Sequence, residues 1–216
     1  MLQFYYHPLS PFARRVWITL LEKQLNFEPI IVNLERGEQL KPKFLQLNPF
    51  RRIPLVVDGK FQIIESLAIM DYLEVKYPEN PLLPGNPELL AKVKMAQSIT
   101  NHELGSPVIS LIFNDTDSIK IAKAKRKLNR ICKFLSELLD EAAYFGGDRL
   151  SLGDIVAGNG LILINKLGFN FENFPKIDRY CQRLMKREAW QTTQPSSQQI
   201  EVWKTVARTL IKKNQS

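Results

Sequence analysis

A small α/β unit followed by an all-helical unit is the fold class that this 216-residue sequence predicts. Three observations predict it. Strand-like and helix-like segments alternate through residues 1–77, in the order β-α-β-α-β-β-α. A stretch with four prolines and a glycine, PENPLLPGNP at 78–87, is incompatible with any regular element and reads as a linker. Beyond it no strand pattern persists, and apolar residues recur at helical spacing to the end of the chain. The predicted organisation is an α/β domain over 1–78, a linker over 79–87 and a helical domain over 88–216.

Each element has its own signal. LQFYY (2–6) is aromatic and apolar and reads as a strand. Residues 11–24 follow with Val16, Ile18, Leu20 and Leu21 at mainly helical spacing, opened by Ser10 and Pro11, an ordinary helix-start pair. FEPIIVN (27–33) is again strand-like, and its distance from the first strand suits a parallel β-α-β unit. KPKFLQLN (41–48) predicts a short helix before Pro49. IPLVVDGKFQII (53–64) places Asp58-Gly59 between two β-rich runs, a hairpin signal. SLAIMDYLEVKY (66–77) predicts a helix that stops at Pro78. Helices are then predicted over 88–113, kinked or broken at Gly105 and Pro107, and over 118–144, 154–168, 175–187 and 197–213. Ser151, three residues before Asp154, resembles a capping box.

The composition excludes several classes. No stretch of eighteen apolar residues occurs, and the N-terminus lacks a basic-then-apolar signal pattern, so no membrane partner is expected. Cys132 and Cys181 lie in helix-like segments without C-x-x-C spacing, which points to a reducing, cytoplasmic setting with no metal site built on cysteine. The net charge of +8 is unevenly placed: residues 1–80 hold 10 Lys+Arg against 9 Asp+Glu, residues 81–216 hold 20 against 13. The densest run, KIAKAKRKLNRICK (120–133), lacks interleaved aromatics and keeps Ile121, Leu128, Ile131, Cys132 and Leu135 at helical spacing. Its lysines therefore read as a solvated face, and no nucleic-acid partner is expected.

Six segments in order, SPFARRV, LQLNPFRRIPLVVDG, IIESLAIMDYL, the proline-rich linker, LSLGDI and YCQRLMKREAWQTTQP, together resemble the soluble glutathione transferase family over essentially the whole chain. The serine of SPF is most similar to the serine-type tau, phi and theta branches and to bacterial and cyanobacterial relatives. The resemblance implies a thioredoxin-like N-terminal domain that binds glutathione, a helical domain that shapes the pocket for a small hydrophobic electrophile, and a homodimer. Glutathione is the implied co-substrate, with no cofactor and no metal.

The same resemblance assigns roles. Ser10 is the implied catalytic residue, its hydroxyl stabilising the glutathione thiolate. A free thiol titrates near about 8.5, and lowering that by about two units supplies roughly 2.7 kcal/mol towards the thiolate. A donated hydrogen bond and a helix N-terminus both act in that direction. Taken alone, Ser10 is a helix cap. Tyr5 and Tyr6 are rivals, since other branches use a tyrosine near the end of the first strand. Pro54 is implied to follow a cis peptide bond and to present the backbone of Ile53 to glutathione's cysteinyl unit as an added strand would. Ser66, at a helix start, is implied to hold the γ-glutamyl carboxylate, and Glu65 the ammonium group. Gln39, Lys41 and Arg52 are candidates for the glycyl carboxylate. Phe12, Val108 and Leu111 are candidate walls of the second-substrate pocket.

Several positions depart from the family pattern. Leu67 stands where an arginine often follows the Glu-Ser pair, Arg51 replaces the common glycine after NPF, and Glu188 replaces a common proline. Three other readings remain. Glutathione-dependent thiol–disulfide exchange resembles branches with CPF in place of SPF, and a glutathione-dependent isomerase would lack the expected double-serine-cysteine signature. The third is a non-enzymatic binding or assembly module.

Overall fold

The structure, a computed structural model, describes residues 1–113 and 118–213; residues 114–117 and 214–216 of the expected helical domain lie outside the described residues. The chain forms two compact units, Met1–Pro81 with Thr192–Pro195, and Leu82–Gln191 with Ser196–Ser216.

The first unit is built on a four-stranded sheet of order β2-β1-β3-β4. β1 (Leu2–Tyr6) runs into α1 (Pro11–Glu22) and returns as β2 (Phe27–Ile31), parallel to β1 with Leu2 beside Phe27. A 3-10 turn (Glu38–Leu40) and the short α2 (Pro42–Leu45) lead to β3 (Leu55–Asp58) and β4 (Phe61–Ile64), an antiparallel hairpin, and α3 (Ser66–Lys76) closes the unit. The order of elements is the predicted one, and the arrangement is thioredoxin-like. The hairpin differs in one detail. Asp58 pairs with Phe61, so the two-residue turn is Gly59-Lys60, with Gly59 at φ 62. Asp58 is instead the last strand residue, and its Oδ2 accepts from Tyr72 Oη (2.8 Å), Tyr77 Oη (3.0 Å) and Lys76 Nζ (2.7 Å).

The period-2 alternation of the strands fixes the two faces of the sheet. Leu2, Phe4 and Tyr6 are buried on one face, where Tyr6 meets Trp17 of α1 at 5.1 Å between ring centroids. Tyr5, Leu55 and Val57 take the other face and pack with Val32 and Phe44. Lys23, at the C-terminal cap of α1, is fully buried and donates to Glu74 Oε2 (2.7 Å) and to the carbonyls of Glu79 (3.1 Å) and Asn80 (3.3 Å). That ties α1 to α3 and to the start of the linker.

Among the described residues the regular elements after the linker are all helices: α4 (Pro87–Glu103), α5 (Gly105–Phe113), α6 (Ser118–Leu139), α7 (Leu152–Lys166), α8 (Pro175–Met185), α9 (Glu188–Thr193) and α10 (Ser197–Lys213), of which the last two residues of α9 count with the first unit. The helix expected over 88–113 is broken at Leu104, as Gly105 and Pro107 suggested. The helix expected over 118–144 ends at Leu139, where Asp140 takes a left-handed φ of 52. α9 was not expected: six residues between a basic stretch and a proline are too short for periodicity to register. α4 and α7 pack closely enough that a Cβ on Gly153 would stand 2.9 Å from the Val93 carbonyl oxygen. Ser151 and Asp154 form the capping box at the start of α7. Asp154, with no exposure, accepts four hydrogen bonds: Ser151 N–H (2.8 Å), Ser151 Oγ (2.6 Å), Phe145 N–H (2.9 Å) and Tyr180 Oη (2.9 Å).

Arg51 departs from the family's glycine at a position whose backbone suits glycine. Its φ is 60, in the left-handed region that glycine enters without a Cβ penalty. Arg51→Gly is therefore expected to stabilise the protein by about 0.5–1 kcal/mol, read as a rise in the denaturation midpoint. An unchanged or lower midpoint would contradict the assigned backbone conformation.

Candidate active site

The register of the sheet brings the expected glutathione-binding segments to one end. Tyr5 pairs with Leu55 and Leu55 with Ile64, so the C-terminal ends of β1 and β4 lie beside the N-terminal end of β3. β2 ends beside Tyr6, and the Val32 N–H donates to the Tyr6 carbonyl (2.8 Å). Segments 7–10, 33–41, 52–54 and 65–66 all enter or leave the sheet there. They contain every residue expected to activate or bind glutathione. Open α/β sheets bind ligands outside the C-terminal ends of parallel strands, and this is that end of β1 and β2.

Ser10 is the N-cap of α1. Its Oγ accepts from the Ala13 N–H (3.2 Å) and its carbonyl from the Arg14 N–H (2.9 Å). Capping uses only an oxygen lone pair. Among the described residues the hydroxyl hydrogen is donated to no acceptor, so the cap and a donor role coexist in one side chain. Pro11 contributes no N–H, and the positive end of the α1 dipole lies at the same place. The rival tyrosines are packed as strand aromatics. Tyr6 is buried, stacked on Phe4 at 4.7 Å, and its burial pushes the phenol above its usual value. Tyr5 lies on the opposite face, edge-on to Phe44 at 6.4 Å.

The Ile53–Pro54 peptide bond is cis, as the resemblance implied. Ile53 precedes β3, and neither its N–H nor its C=O is bonded among the described residues. The loop before it is held by Asn48, a residue not singled out from sequence. Its Oδ1 accepts from the Phe50 N–H (3.0 Å), its carbonyl from the Arg51 N–H (3.1 Å), and its Nδ2 donates to the Arg52 carbonyl (2.7 Å). The Asn-Pro dipeptide was the available signal, since asparagine before proline favours this turn.

α3 starts at Ser66, as the sequence predicts, and the residue before it takes the cap. Glu65 occupies the N-cap with φ 66 and ψ 115, and Ser66 is the first helical residue. Glu65 provides no side-chain cap, so the amides of Ser66, Leu67 and Ala68 and the Ser66 hydroxyl have no acceptor among the described residues, the Ile69 N–H being the first to bond, to the Glu65 carbonyl. Glu65 is exposed and its backbone lies in a region costly for a non-glycine residue. Its charge acts on Arg15, whose guanidinium burial brings down to about 10 against the pull of Glu65.

The glycyl-carboxylate candidates fall differently. Gln39 is buried, with Nε2 donating to the Leu34 carbonyl at 3.4 Å, so its amide hydrogens are turned inwards. Lys41 is exposed with its ammonium 3.4 Å from Glu38, and Arg52 is exposed. Phe12 is 54% exposed on α1, with the Arg15 guanidinium 4.6 Å above its ring. Val108 and Leu111 lie half-buried on α5.

Two further features bear on the chemistry. Cys132 and Cys181 are buried and free; burial pushes the Cys132 thiol up to about 12 and the Cys181 thiol further. Such thiols are poor partners for disulfide exchange. On α6, Lys123, Lys125, Arg126 and Arg130 are exposed, while Ala124, Leu128, Ile131, Cys132 and Leu135 are buried, the solvated basic face expected. Among the described residues no group of three or more His, Cys, Asp or Glu side chains is placed to hold a metal ion, and no helix is long and apolar enough to cross a membrane.

A thioredoxin-like unit with a capped serine after β1, a cis-proline before β3 and an open helix N-terminus after β4 defines a class of glutathione-handling proteins. Sequence profiles described as the N-terminal and C-terminal domains of glutathione S-transferase match residues 4–81 and 95–188. The chain is 36% identical to glutathione S-transferase 1 of Dianthus caryophyllus, over 82% of this chain and 83% of that protein. It is 33% identical to glutathione S-transferase Z2 of Arabidopsis thaliana, over 91% of this chain and 92% of that one. Its structure is similar to that of a glutathione S-transferase from Rhodospirillum rubrum, with a TM-score of 0.77 at 27% identity, over 91% and 93% of the two chains. The chain belongs to the glutathione S-transferase family. It is an enzyme of glutathione conjugation, with glutathione as its co-substrate.

Proposed function

We propose that Ser10 activates the thiol in this conjugation. The hydroxyl donates to the glutathione sulfur, the α1 dipole adds positive potential, and the thiolate attacks the electrophilic carbon of a small hydrophobic substrate. The observation that carries the reading is the split use of Ser10: a lone pair caps α1 through Ala13, and the hydrogen is left for a ligand. With 1-chloro-2,4-dinitrobenzene a C–S bond forms and chloride leaves. The exposed ring of Phe12 offers an apolar face to such a substrate.

The rest of glutathione is held by the segments at the same end of the sheet. The unbonded N–H and C=O of Ile53 pair with the cysteinyl unit, as an added strand would. The open N-terminus of α3, with the Ser66 hydroxyl, receives the γ-glutamyl carboxylate, and Glu65 receives the ammonium. Lys41 and Arg52 face the glycyl carboxylate, while Gln39 supports the turn from within. Ser66→Ala is expected to raise KM for glutathione by about ten-fold with kcat nearly unchanged, because it removes binding common to ground and transition states. A lowered kcat with an unaltered KM would move Ser66 out of the binding set. The protein works as a homodimer in the cytoplasm, a reading supported by its family and by two free, buried cysteines suited to a reducing compartment.

A further inference from the structure

Two loops at the glutathione end of the sheet share one hydrogen-bond pattern. In Asn48-Pro49-Phe50-Arg51, the Asn48 side chain accepts from the N–H two residues on (3.0 Å) and its carbonyl from the N–H three residues on (3.1 Å). In His7-Pro8-Leu9-Ser10, His7 Nδ1 accepts from the Leu9 N–H (3.3 Å) and the His7 carbonyl from the Ser10 N–H (3.0 Å). Pro8 has no N–H. The amide hydrogens of Leu9 and Ser10, the two residues before α1 that follow Pro8, therefore both end on His7. The imidazole does for the Ser10 loop what an asparagine does for the Ile53 loop.

We infer that His7 is a positioning residue: in its neutral form it holds the turn that sets Ser10, and its protonation releases that turn. Only the neutral ring with its hydrogen on Nε2 can accept from Leu9. In the protonated ring Nδ1–H faces the Leu9 N–H, two donors meet, and the turn must open. Among the described residues the charged group acting on the ring is Glu35, from the segment after β2; burial of the ring lowers its pKa and Glu35 pulls it back up. The role assigned to His7 acts through Ser10, so the inference rests on the Ser10 reading.

The test is the pH profile of kcat/KM with 1-chloro-2,4-dinitrobenzene. The wild type should lose activity along two inflections on the acid side, one from the thiol and a lower one, below about 6.5, from His7. His7→Ala should lower kcat/KM about ten-fold at pH 7.5, chiefly through kcat. His7→Asn, which can rebuild the turn in the manner of Asn48 but does not titrate, should recover to within about three-fold and lack the lower inflection. Glu35→Gln should move the lower inflection downwards. His7 and His102 are the only histidines, so the imidazole titration can be followed directly by NMR, and it should coincide with the lower inflection. A wild-type profile in His7→Asn, or an inflection unmoved in Glu35→Gln, overturns the inference. An impaired Ser10→Ala chain beside such a result removes the His7 role alone. A fully active Ser10→Ala chain removes the Ser10 reading and the His7 role with it.

Discussion

Replacing Ser10 by alanine is expected to lower kcat/KM for conjugation by ten-fold or more while glutathione affinity is largely kept. Ten-fold corresponds to about 1.4 kcal/mol of transition-state stabilisation, less than the roughly 2.7 kcal/mol that a two-unit fall in the thiol pKa would represent. The difference leaves room for the α1 dipole, which the substitution does not remove. The same change deletes a helix cap worth about 1 kcal/mol, so a modest drop in thermal midpoint should accompany the kinetic loss. Ser10→Thr keeps both the cap and the hydroxyl and should restore most of each. A titration of thiolate absorbance in the glutathione complex separates the two roles. Its inflection should rise in the alanine variant. An inflection shared with the wild type, with turnover intact, would leave Ser10 as a cap and return attention to Tyr5 and Tyr6.

The second large effect is expected at Asp154. Its carboxylate collects two backbone N–H groups and two hydroxyls in a site with no exposure. Asp154→Ala strands four buried donors, each costing about 1–3 kcal/mol when unpaired. A loss on the order of 4 kcal/mol or more follows, measured by chemical denaturation, and much of the chain should fail to fold at 37 °C. The pH dependence has a definite sign. Burial pushes the carboxyl up to about 6, against the four hydrogen bonds that pull it down. A raised folded value means that the folded state binds the extra proton between about pH 4 and 6. The stability this group contributes is then full below about pH 4 and is lost as pH rises through about 6. The gap between the wild type and Asp154→Asn should widen as pH falls from 7 to 5. A gap that narrows would mean that the hydrogen bonds outweigh burial.

Much of the fold is legible in the chain because local signals and long-range pattern agree. Asp58-Gly59 announces the hairpin, the prolines of 78–87 end one unit, and Gly105 with Pro107 breaks a helix that periodicity alone would continue. Where the reading slips, a tertiary constraint decides. Glu65, a poor candidate for a positive φ, takes the N-cap position, while the helix starts at Ser66 as expected. Asp58 looks like a turn residue but is drawn into the strand by three donors from α3 and its cap. Ser10, Pro54 and the Glu65-Ser66 pair stand out only through the resemblance of their segments to a family, since taken alone each reads as an ordinary helix or strand boundary. His7 and Asn48 do not, because their contribution is a hydrogen bond to an amide two residues on, which residue type alone leaves undetermined.

The first unit is not a contiguous stretch of chain: it recruits Thr192–Pro195. Arg14, buried on α1 and brought by burial down to about 10, directs its Nε to the Thr193 carbonyl (3.2 Å) and hydroxyl (3.3 Å). A gene fragment cut at the proline-rich stretch would deprive that guanidinium of both oxygens. Exchange of the N-terminal half between relatives thus carries a hidden condition. The recipient must bring back a compatible return segment more than a hundred residues downstream, which makes shuffling at the linker a poor route to new specificities for this protein.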